Sequence, residues 1–378
     1  MNTAIVGIGA TSYVKQSGRT TKAMAVEACR KALDDAGIGI DQVDGVATFM
    51  ANDSAGALEV SWALGRQDVS WAMTQMGGGN VVAETLATAD AVIKSGLCKA
   101  VLVYRSMNGR SGVRFGTVTE AMEVSGDMQF DAASGYLVPP QWFAMFARRH
   151  QAEFGSTAED LGAIAIQQRE HAIPNPQAVR REPLTMEEYL SARWVAEPFR
   201  LYDCTSEVDG ACALLLVNED LAKEAKTKPV WMVSSANAQS GAGWSQWPDL
   251  STMYASVVGP RLWESSGYRP EDMDVACLYD CFTFTVMASV EGFGFCDRGE
   301  VGDFYRAGRA TYGGDVVINP HGGLLSEGYL HGLNHHLEAT LQLRGEAGVR
   351  QVDDAKLALV SAGGGPHGGA QIYAKEHP

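Results

Sequence analysis

The sequence predicts an α/β protein built from two related halves. Apolar strands alternate with amphipathic helices, the same order of elements returns in the second half, and one stretch of sequence repeats in register. With 378 residues and 46% hydrophobic content, the chain is long enough to bury one large core or two medium ones. The predicted halves are residues 1–225 and 226–378.

The first half opens with a predicted strand, Ala4 to Ile8, and a turn that includes Gly7, Gly9 and Ala10. The helix that follows ends at Gly37, because glycine is the usual residue after a helix C-terminus. The later elements are a strand from Val43 to Phe49, a glycine turn from Gly77 to Gly79, a helix through about Ser95, and a strand from Ala100 to Tyr104. This alternation is typical of a parallel sheet covered by helices.

The repeated stretch reads AGIGIDQVDGVAT from Ala36 and SGYRPEDMDVACL from Ser266. In both copies a helix-ending glycine is followed, at the same spacing, by an aspartate that opens a strand. Each copy is also followed by a helix and a similar strand, KAVLVY in the first half and KLALVSAGG in the second. We interpret the pattern as an internal duplication.

An insertion of loops and helices is predicted at about 110–200. It contains helices near 141–153 and 157–172, the second with a capping box of Ser156 and Glu159. Residues 171–183 are polar and interrupted by proline, hence a loop, and Ala211 to Val217 form a strand that leads into a helix. The tract 240–249, rich in glycine and tryptophan, is either a lid over an apolar ligand or, the favoured interpretation, a loop anchored by Trp244 and Trp247.

Composition excludes several classes of function. The formal charge of −15 argues against a nucleic-acid surface and against binding to an anionic membrane. Neither a signal peptide nor a membrane-spanning segment is apparent, so a cytoplasmic protein is expected. The seven cysteines are dispersed without a C-x-x-C pair and the histidines form no H-x-x-x-H motif, so neither a disulfide framework nor a metal site is expected.

Three motifs of the second half resemble the thiolase superfamily, and most closely its sterol-carrier-protein-type branch. They are YDCFTFTVMASVEGFGFC from Tyr279, NPHGGLLSEGYLHG from Asn319 and SAGGG from Ser361. AIVGIGAT at the start and VDGACALLLV in the middle also fit in order, so the resemblance covers nearly the whole chain. It implies the thiolase fold, in which duplicated βαβαβ halves form a layered α-β-α-β-α sandwich.

The departures from the thiolase pattern are informative. The position of the nucleophilic cysteine falls in the segment 76–80, which contains none, and the second cysteine is replaced by Ser361. Without a thiolate no acyl-enzyme can form through the usual route. Both catalytic histidine positions hold tyrosine instead, Tyr279 and Tyr329.

This paired replacement resembles the steroid side-chain aldolases once labelled lipid-transfer proteins. RSGVRFG from Arg110, EPFRLYDC from Glu197 and the GYLHG tyrosine strengthen the match. The resemblance implies retro-aldol cleavage of a β-hydroxyacyl-CoA, such as 17-hydroxy-3-oxopregn-4-ene-20-carboxyl-CoA, which would yield a 17-ketosteroid and propionyl-CoA. CoA is then part of the substrate, and no separate cofactor is expected.

The resemblance places Tyr279 and Tyr329 in one pocket as general acid and base, in an order that the sequence does not give. A tyrosine has an ordinary pKa of about 10, so a basic tyrosine needs a lowered pKa or a hydrogen-bonded partner. His331 and Asp280 are candidate tuning neighbours. Backbone N–H groups of the glycine turns are candidate oxyanion donors, and Asn319 and His321 are secondary candidates. The glycines in question are Gly78, Gly79 and Gly364.

Family resemblance also implies a homodimer, joined by a small zinc-ribbon and OB-fold partner into a heterotetramer. Arg110 and Arg114 are possible contacts for CoA phosphates, although loop arginines usually face solvent or an interface. Two alternatives stay open at this point. One is a non-catalytic carrier of lipid or acyl-CoA, and the other is an acyltransferase with a different nucleophile, for instance Ser361 or Cys281.

Overall fold

The computed structural model of the chain describes residues 2–112, 114, 124–126 and 128–377. Of the motif at 110–116, positions 113, 115 and 116 therefore lie outside the described residues. The strands are β1 (Thr3–Ala10), β2 (Gly45–Met50), β3 (Trp71–Met76), β4 (Ala100–Asn108), β5 (Trp194–Ala196), β6 (Phe199–Arg200), β7 (Asp209–Asn218), β8 (Val230–Ala238), β9 (Val275–Cys277), β10 (Val317–Ile318), β11 (Leu357–Gly364) and β12 (His367–Ala374). The helices are α1 (Thr21–Ala36), α2 (Ala57–Ala63), α3 (Val82–Lys94), α4 (Met128–Ala133), α5 (Pro139–Phe154), α6 (Ala158–Ala172), α7 (Met186–Ser191), α8 (Glu219–Ala222), α9 (Ala255–Ser266), α10 (Thr283–Gly292), α11 (Val301–Arg306), α12 (Gly323–Ser326) and α13 (Leu333–Arg344).

In the described part of the chain, ten strands form one sheet in which the two halves repeat the same order. The order is β3-β2-β4-β7-β1 in the first half and β10-β9-β11-β12-β8 in the second. In each half the first three strands are parallel, and the other two run antiparallel to their neighbours. A short pairing of β1 with β8 joins the halves. The duplication is confirmed, whereas the expectation of a parallel sheet holds only for three strands of each half.

Helices α3 and α13 lie between the two half-sheets and contact strands of both. On the outer faces, α1 packs on β1, β4 and β7, and α9 packs on β8 and β12. The order of layers is therefore helix, half-sheet, helix, half-sheet, helix, as the predicted α-β-α-β-α sandwich requires. Nearly all side chains of α13 are buried, which agrees with a central helix.

The repeated aspartates have the same structural role in both halves. The Asp44 carboxylate accepts hydrogen bonds from the N–H groups of Lys99 and Ala100, at 2.9 and 3.0 Å. Asp274 accepts hydrogen bonds from the N–H groups at the start of β11, at 2.7 and 2.9 Å. Each aspartate thus fixes the register between two parallel strands of its half.

The predicted turn at Gly7 and Gly9 is wrong, because β1 continues to Ala10. These glycines allow α1 to lie directly against the strand: a Cβ at Gly7 would lie 2.1 Å from the Ala32 carbonyl oxygen, and one at Gly9 2.2 Å from that of Ala28. The glycine signal came from close helix–strand packing, not from a change in chain direction.

The predicted capping box of α6 is shifted by one residue. Thr157 and Asp160 form it, with bonds of 3.2 Å from Asp160 N–H to the Thr157 hydroxyl and 2.7 Å from Thr157 N–H to the Asp160 carboxylate. Ser156 instead hydrogen-bonds His150, at 2.9 Å. Among the described residues, none of the helices combines the length and the apolar character needed to cross a bilayer.

Candidate active site

A cavity of about 790 Å³ opens where loops of both halves meet, at the carboxyl ends of β3, β9 and β11. Such a position is expected of a site in an α/β fold, since loops after strand ends place side chains at one edge of the sheet. Its volume lies within the usual range for small-molecule pockets, roughly 300–1,000 Å³. The lining includes Tyr279, Tyr329, His331 and the glycine turns that follow β3 and end β11.

The two tyrosines meet in this cavity. Their hydroxyl oxygens are 3.1 Å apart, within hydrogen-bonding distance. The two residues are fifty positions apart in sequence, and the fold brings them together because the segment after β9 and the loop before α13 converge at this cavity.

Tyr279 is held in a narrow slot between glycines. Its N–H donates to the Ser361 hydroxyl at 3.2 Å, and its ring packs against Gly332, where a Cβ would lie 2.9 Å from the ring. At Gly79 a Cβ would lie 1.9 Å from the Tyr279 hydroxyl oxygen. The phenol occupies the space that a side chain at Gly79 would need. Any residue with a side chain there, cysteine included, is therefore incompatible with this position of Tyr279.

Tyr329 is fixed through its backbone. Its N–H donates to the Ser206 carbonyl oxygen at 2.9 Å, and the preceding Gly328 has a φ of 158°, with Tyr13 and Val208 packed against the space of a side chain. Burial raises the pKa of both active-site tyrosines, and the neighbouring phenol raises that of Tyr279 further. Both hydroxyls are therefore protonated at neutral pH, and neither has the lowered pKa that would make it a free base.

His331 faces the same cavity, with its ring edge-on to that of Tyr329 at a centroid distance of 4.8 Å. Its Nδ1 accepts a hydrogen bond of 3.1 Å from Arg105 Nε. Burial, and then the charge of Arg105, hold the pKa of this imidazole well below its ordinary value. His331 is thus neutral.

Asp280, Asn319 and His321 lie outside the cavity lining and hydrogen-bond the segments around it. Asp280 accepts the N–H groups of Leu324 and Leu325, at 2.9 and 3.1 Å. The Asn319 side chain makes two hydrogen bonds to the backbone of Leu278. His321 is buried and hydrogen-bonded to a second histidine.

The predicted glycine donors lie at the cavity wall, but one is already engaged. The Gly78 N–H donates to the Asn80 side-chain oxygen at 3.0 Å. Gly79 and Gly364 line the cavity. The oxyanion role that sequence assigned to these backbone groups stays a prediction.

The alternative nucleophiles have unfavourable surroundings. Cys281 lines the cavity, but burial raises the pKa of its thiol, so the reactive thiolate is scarce. Ser361 is buried, with its hydroxyl oxygen accepting hydrogen bonds from the Tyr254 hydroxyl and the Tyr279 N–H. In the described part of the chain, no group of three or more histidine, cysteine or carboxylate side chains is arranged to hold a metal ion.

Sequence reasoning had named Arg110, Arg114 and Trp244, which line the cavity, but it missed the rest of this part of the wall. One side is aromatic and apolar, and the rim is basic. The apolar side includes Pro139, Trp142, Phe143, Trp244 and Phe282. The charged residues at the rim, among those that the structure describes, are Lys15, Arg110, Arg114, Arg180, Arg193 and Glu207. Trp244 packs on Gly365, Trp142 and Phe143, so the tract 240–249 is an anchored loop that also forms part of the wall.

Comparison with known proteins shows which family this chain resembles. Residues 236–373 match the family described as "Thiolase C-terminal domain-like". The chain is 37% identical to a "Steroid side-chain-cleaving aldolase" of Thermomonospora curvata, over 96% of this chain and 95% of the relative. It is 38% identical to a "17-hydroxy-3-oxo-4-pregnene-20-carboxyl-CoA lyase" of Mycobacterium tuberculosis, over 96% of each. The solved structure of an "Ltp2-ChsH2(DUF35) aldolase" superposes with a TM-score of 0.92 at 35% identity, over 100% of this chain and 99% of that one.

The layered, duplicated fold and the central cavity define a protein of the thiolase superfamily. Within that superfamily, the chain belongs to the family of steroid side-chain-cleaving aldolases.

Proposed function

We propose that this chain is a carbon–carbon lyase that cleaves the side chain of a steroid β-hydroxyacyl-CoA by retro-aldol chemistry. The observation that carries the proposal is the pair of tyrosine hydroxyls, 3.1 Å apart, in a pocket that leaves no room for a side chain at Gly79. The relatives described above are named as aldolases or as a lyase, and one name specifies 17-hydroxy-3-oxo-4-pregnene-20-carboxyl-CoA. With that substrate the products are a 17-ketosteroid and propionyl-CoA.

The raised pKa values of the tyrosines favour a relay that never ionises a phenol. The β-hydroxyl of the substrate gives its proton to one phenol oxygen while that phenol passes its own proton to the other. The carbon–carbon bond breaks as the β-carbon becomes a ketone, and the electron pair of that bond passes to the α-carbon, which gains the character of a thioester enolate. In the same step the second phenol gives its own proton to the α-carbon, so neither phenol becomes an oxonium or a phenolate. One proton has moved from oxygen to carbon, and both tyrosines end as they began.

The two kinds of cavity wall fit the two parts of such a substrate. Among the described residues, five cations line the cavity against one carboxylate, in a chain with a net charge of −15. This local reversal of charge favours the phosphates of CoA. The aromatic side, where Trp142, Phe143 and Trp244 meet at centroid distances of 5.0–5.4 Å, suits a flat apolar ring system.

We further propose a homodimer that binds a DUF35 protein with a zinc ribbon and an OB-fold, to give a heterotetramer. The solved aldolase named above contains a DUF35 component. β3 is the last strand at one edge of the sheet, and Leu58, Trp62 and Met76 beside it are exposed, which favours pairing with a second copy at this edge. A CoA thioester substrate is consistent with the cytoplasm.

The test is to mix the chain and its DUF35 partner with 17-hydroxy-3-oxo-4-pregnene-20-carboxyl-CoA and to follow the products by chromatography and mass spectrometry. We expect equal amounts of 17-ketosteroid and propionyl-CoA without added CoA, and unchanged turnover in Cys281→Ala. An ester that stays intact identifies a carrier. Cleavage that requires free CoA, with a covalent protein adduct, identifies an acyltransferase. Either result overturns the proposal.

A further inference from the structure

Arg105 is an unusual residue for its position. It lies in β4, within the apolar run VLVYRSM, and its side chain is fully buried. It forms a short ion pair with Asp53, in the loop after the neighbouring parallel strand β2, and the Ala51 N–H holds the same carboxylate at 3.0 Å. A buried ion pair is a weak source of stability because both charges lose their hydration, so its presence behind a cavity calls for another explanation.

The contact from Arg105 to His331 determines where the imidazole carries its proton. A guanidinium can only donate hydrogen bonds. Since Arg105 Nε lies 3.1 Å from His331 Nδ1, Nδ1 must be the acceptor, and the proton of the neutral ring is on Nε2. A second ring proton on Nδ1 would face the guanidinium N–H, so the imidazolium is excluded by both geometry and charge.

The arrangement reverses the polarity of the carboxylate–histidine pair found in hydrolases. There a carboxylate accepts the Nδ1 proton and leaves Nε2 as a base. Here a cation donates to Nδ1 and leaves Nε2 as a hydrogen-bond donor, which the positive charge behind the ring makes stronger. Neutral histidine donors of this kind polarise carbonyl oxygens in enolising enzymes.

The backbone presents this ring to the cavity. His331 has a φ of 56°, a left-handed conformation that costs energy for a residue with a side chain. The ring lies against Gly78, where a Cβ would be 3.3 Å from Cε1 and 3.4 Å from Nε2. It also stands beside the Tyr329 ring. The ring therefore lies beside the pair of hydroxyls proposed to move the proton.

We propose that His331 donates its Nε2 hydrogen bond to the thioester oxygen as the enolate forms, and that Arg105 with Asp53 is the positioning pair that keeps the proton on Nε2. This inference rests on the proposed retro-aldol function. It assigns the enolate-stabilising role to a side chain, in place of the backbone donors that sequence indicated.

Kinetic variants test the donor. Loss of one oxyanion donor typically lowers kcat by about 10²–10³-fold. His331→Phe keeps the ring volume and removes the donor, so we expect a loss of that size in kcat with KM changed less than about threefold. His331→Gln keeps an acceptor for Arg105 and a donor near the position of Nε2. Its kcat should therefore be at least tenfold higher than that of His331→Phe.

The tautomer is measured independently of catalysis. In a two-bond ¹H–¹⁵N spectrum of the protein labelled at histidine, the signals of His331 are those that are present in the wild type and absent from His331→Phe. These signals should show an unprotonated Nδ1 and a protonated Nε2. In Arg105→Met combined with Asp53→Asn, which removes the cation without leaving a buried carboxylate unpaired, the same signals should shift toward a mixture of tautomers.

A protonated Nδ1 in the wild-type spectrum overturns the inference, and so does an unchanged spectrum in the double variant. If the double variant does not fold, the wild-type spectrum still decides. Wild-type kcat in His331→Phe also refutes the donor role. A wild-type protein that leaves the steroid ester intact instead overturns the proposed function, so the two failures are distinguishable.

Discussion

If the two tyrosines form a single relay, their removal must be strongly non-additive. Tyr279→Phe and Tyr329→Phe each delete one hydroxyl of the 3.1 Å pair and leave the ring in place. General acid–base catalysis contributes about 10²–10⁴-fold. Because either deletion breaks the path from the β-hydroxyl to the α-carbon, we expect a loss of that size in each single variant and no further loss in the double variant.

Stability should follow a related pattern for a different reason. Each single variant leaves one buried hydroxyl without its partner, which costs about 1–3 kcal/mol, whereas removal of both is nearly neutral. The free energy of unfolding, measured in urea, should therefore be higher for the double variant than for either single variant.

The catalytic double-mutant cycle is measured as turnover of the steroid CoA ester, at saturating substrate and with the partner present. Wild-type turnover in either single variant, or losses that multiply in the double variant, would refute the relay.

Four further predictions follow from the site and its supports. Between about pH 6.5 and about pH 8, kcat should be flat, because burial raises the pKa of both cavity tyrosines and lowers that of the cavity histidine; a sigmoidal rise in this window would identify an ionising base. Gly79→Ala should abolish turnover, since its Cβ would lie 1.9 Å from the Tyr279 hydroxyl, whereas Gly241→Ala, with nothing within 4 Å, should be as active as wild type. Arg180→Gln should raise KM about tenfold or more, the effect of one charge-assisted contact, while its neighbour in Arg181→Gln, outside the cavity lining, should leave KM unchanged. Burial raises the pKa of Glu327 from 4.5 to about 8, so the folded protein holds a proton that the unfolded chain releases; the free energy of unfolding should fall as pH rises through this interval, by up to about 1.4 kcal/mol per pH unit, and thermal melts of Glu327→Gln should lose that slope.

The sequence was sufficient for the fold because its signals are local. The glycine and aspartate of the repeat (Gly37 with Asp44, Gly267 with Asp274) end a helix and fix a strand, and they do so in the same way in each half. The turn at Gly7 could not be told from close packing, because both demand a missing side chain, and only the position of α1 distinguishes them. The combination of parallel and antiparallel strands could not be predicted from the sequence either, since the relative direction of two strands depends on contacts between distant segments.

The site was predicted only where family motifs carried it. Tyr279 and Tyr329 stand within the motifs that resemble those of thiolases, so both were visible as candidates in the sequence. Arg105 was missed, although a lone charge inside a buried strand was a signal that the sequence contains. Of the cations at the cavity rim, only Arg110 and Arg114 were named from the sequence. Lys15, Arg180 and Arg193 come from other loops, and no pattern in the sequence shows that loops distant along the chain share one opening.

The most direct measurement is a single turnover in D2O, with the masses of protein and products followed together. We expect unmodified protein at every time point, and a shorter acyl-CoA that carries one deuterium at its α-carbon, delivered by an exchangeable hydroxyl. An acylated protein, or an acyl-CoA released without deuterium, would contradict cleavage by proton transfer between two phenols.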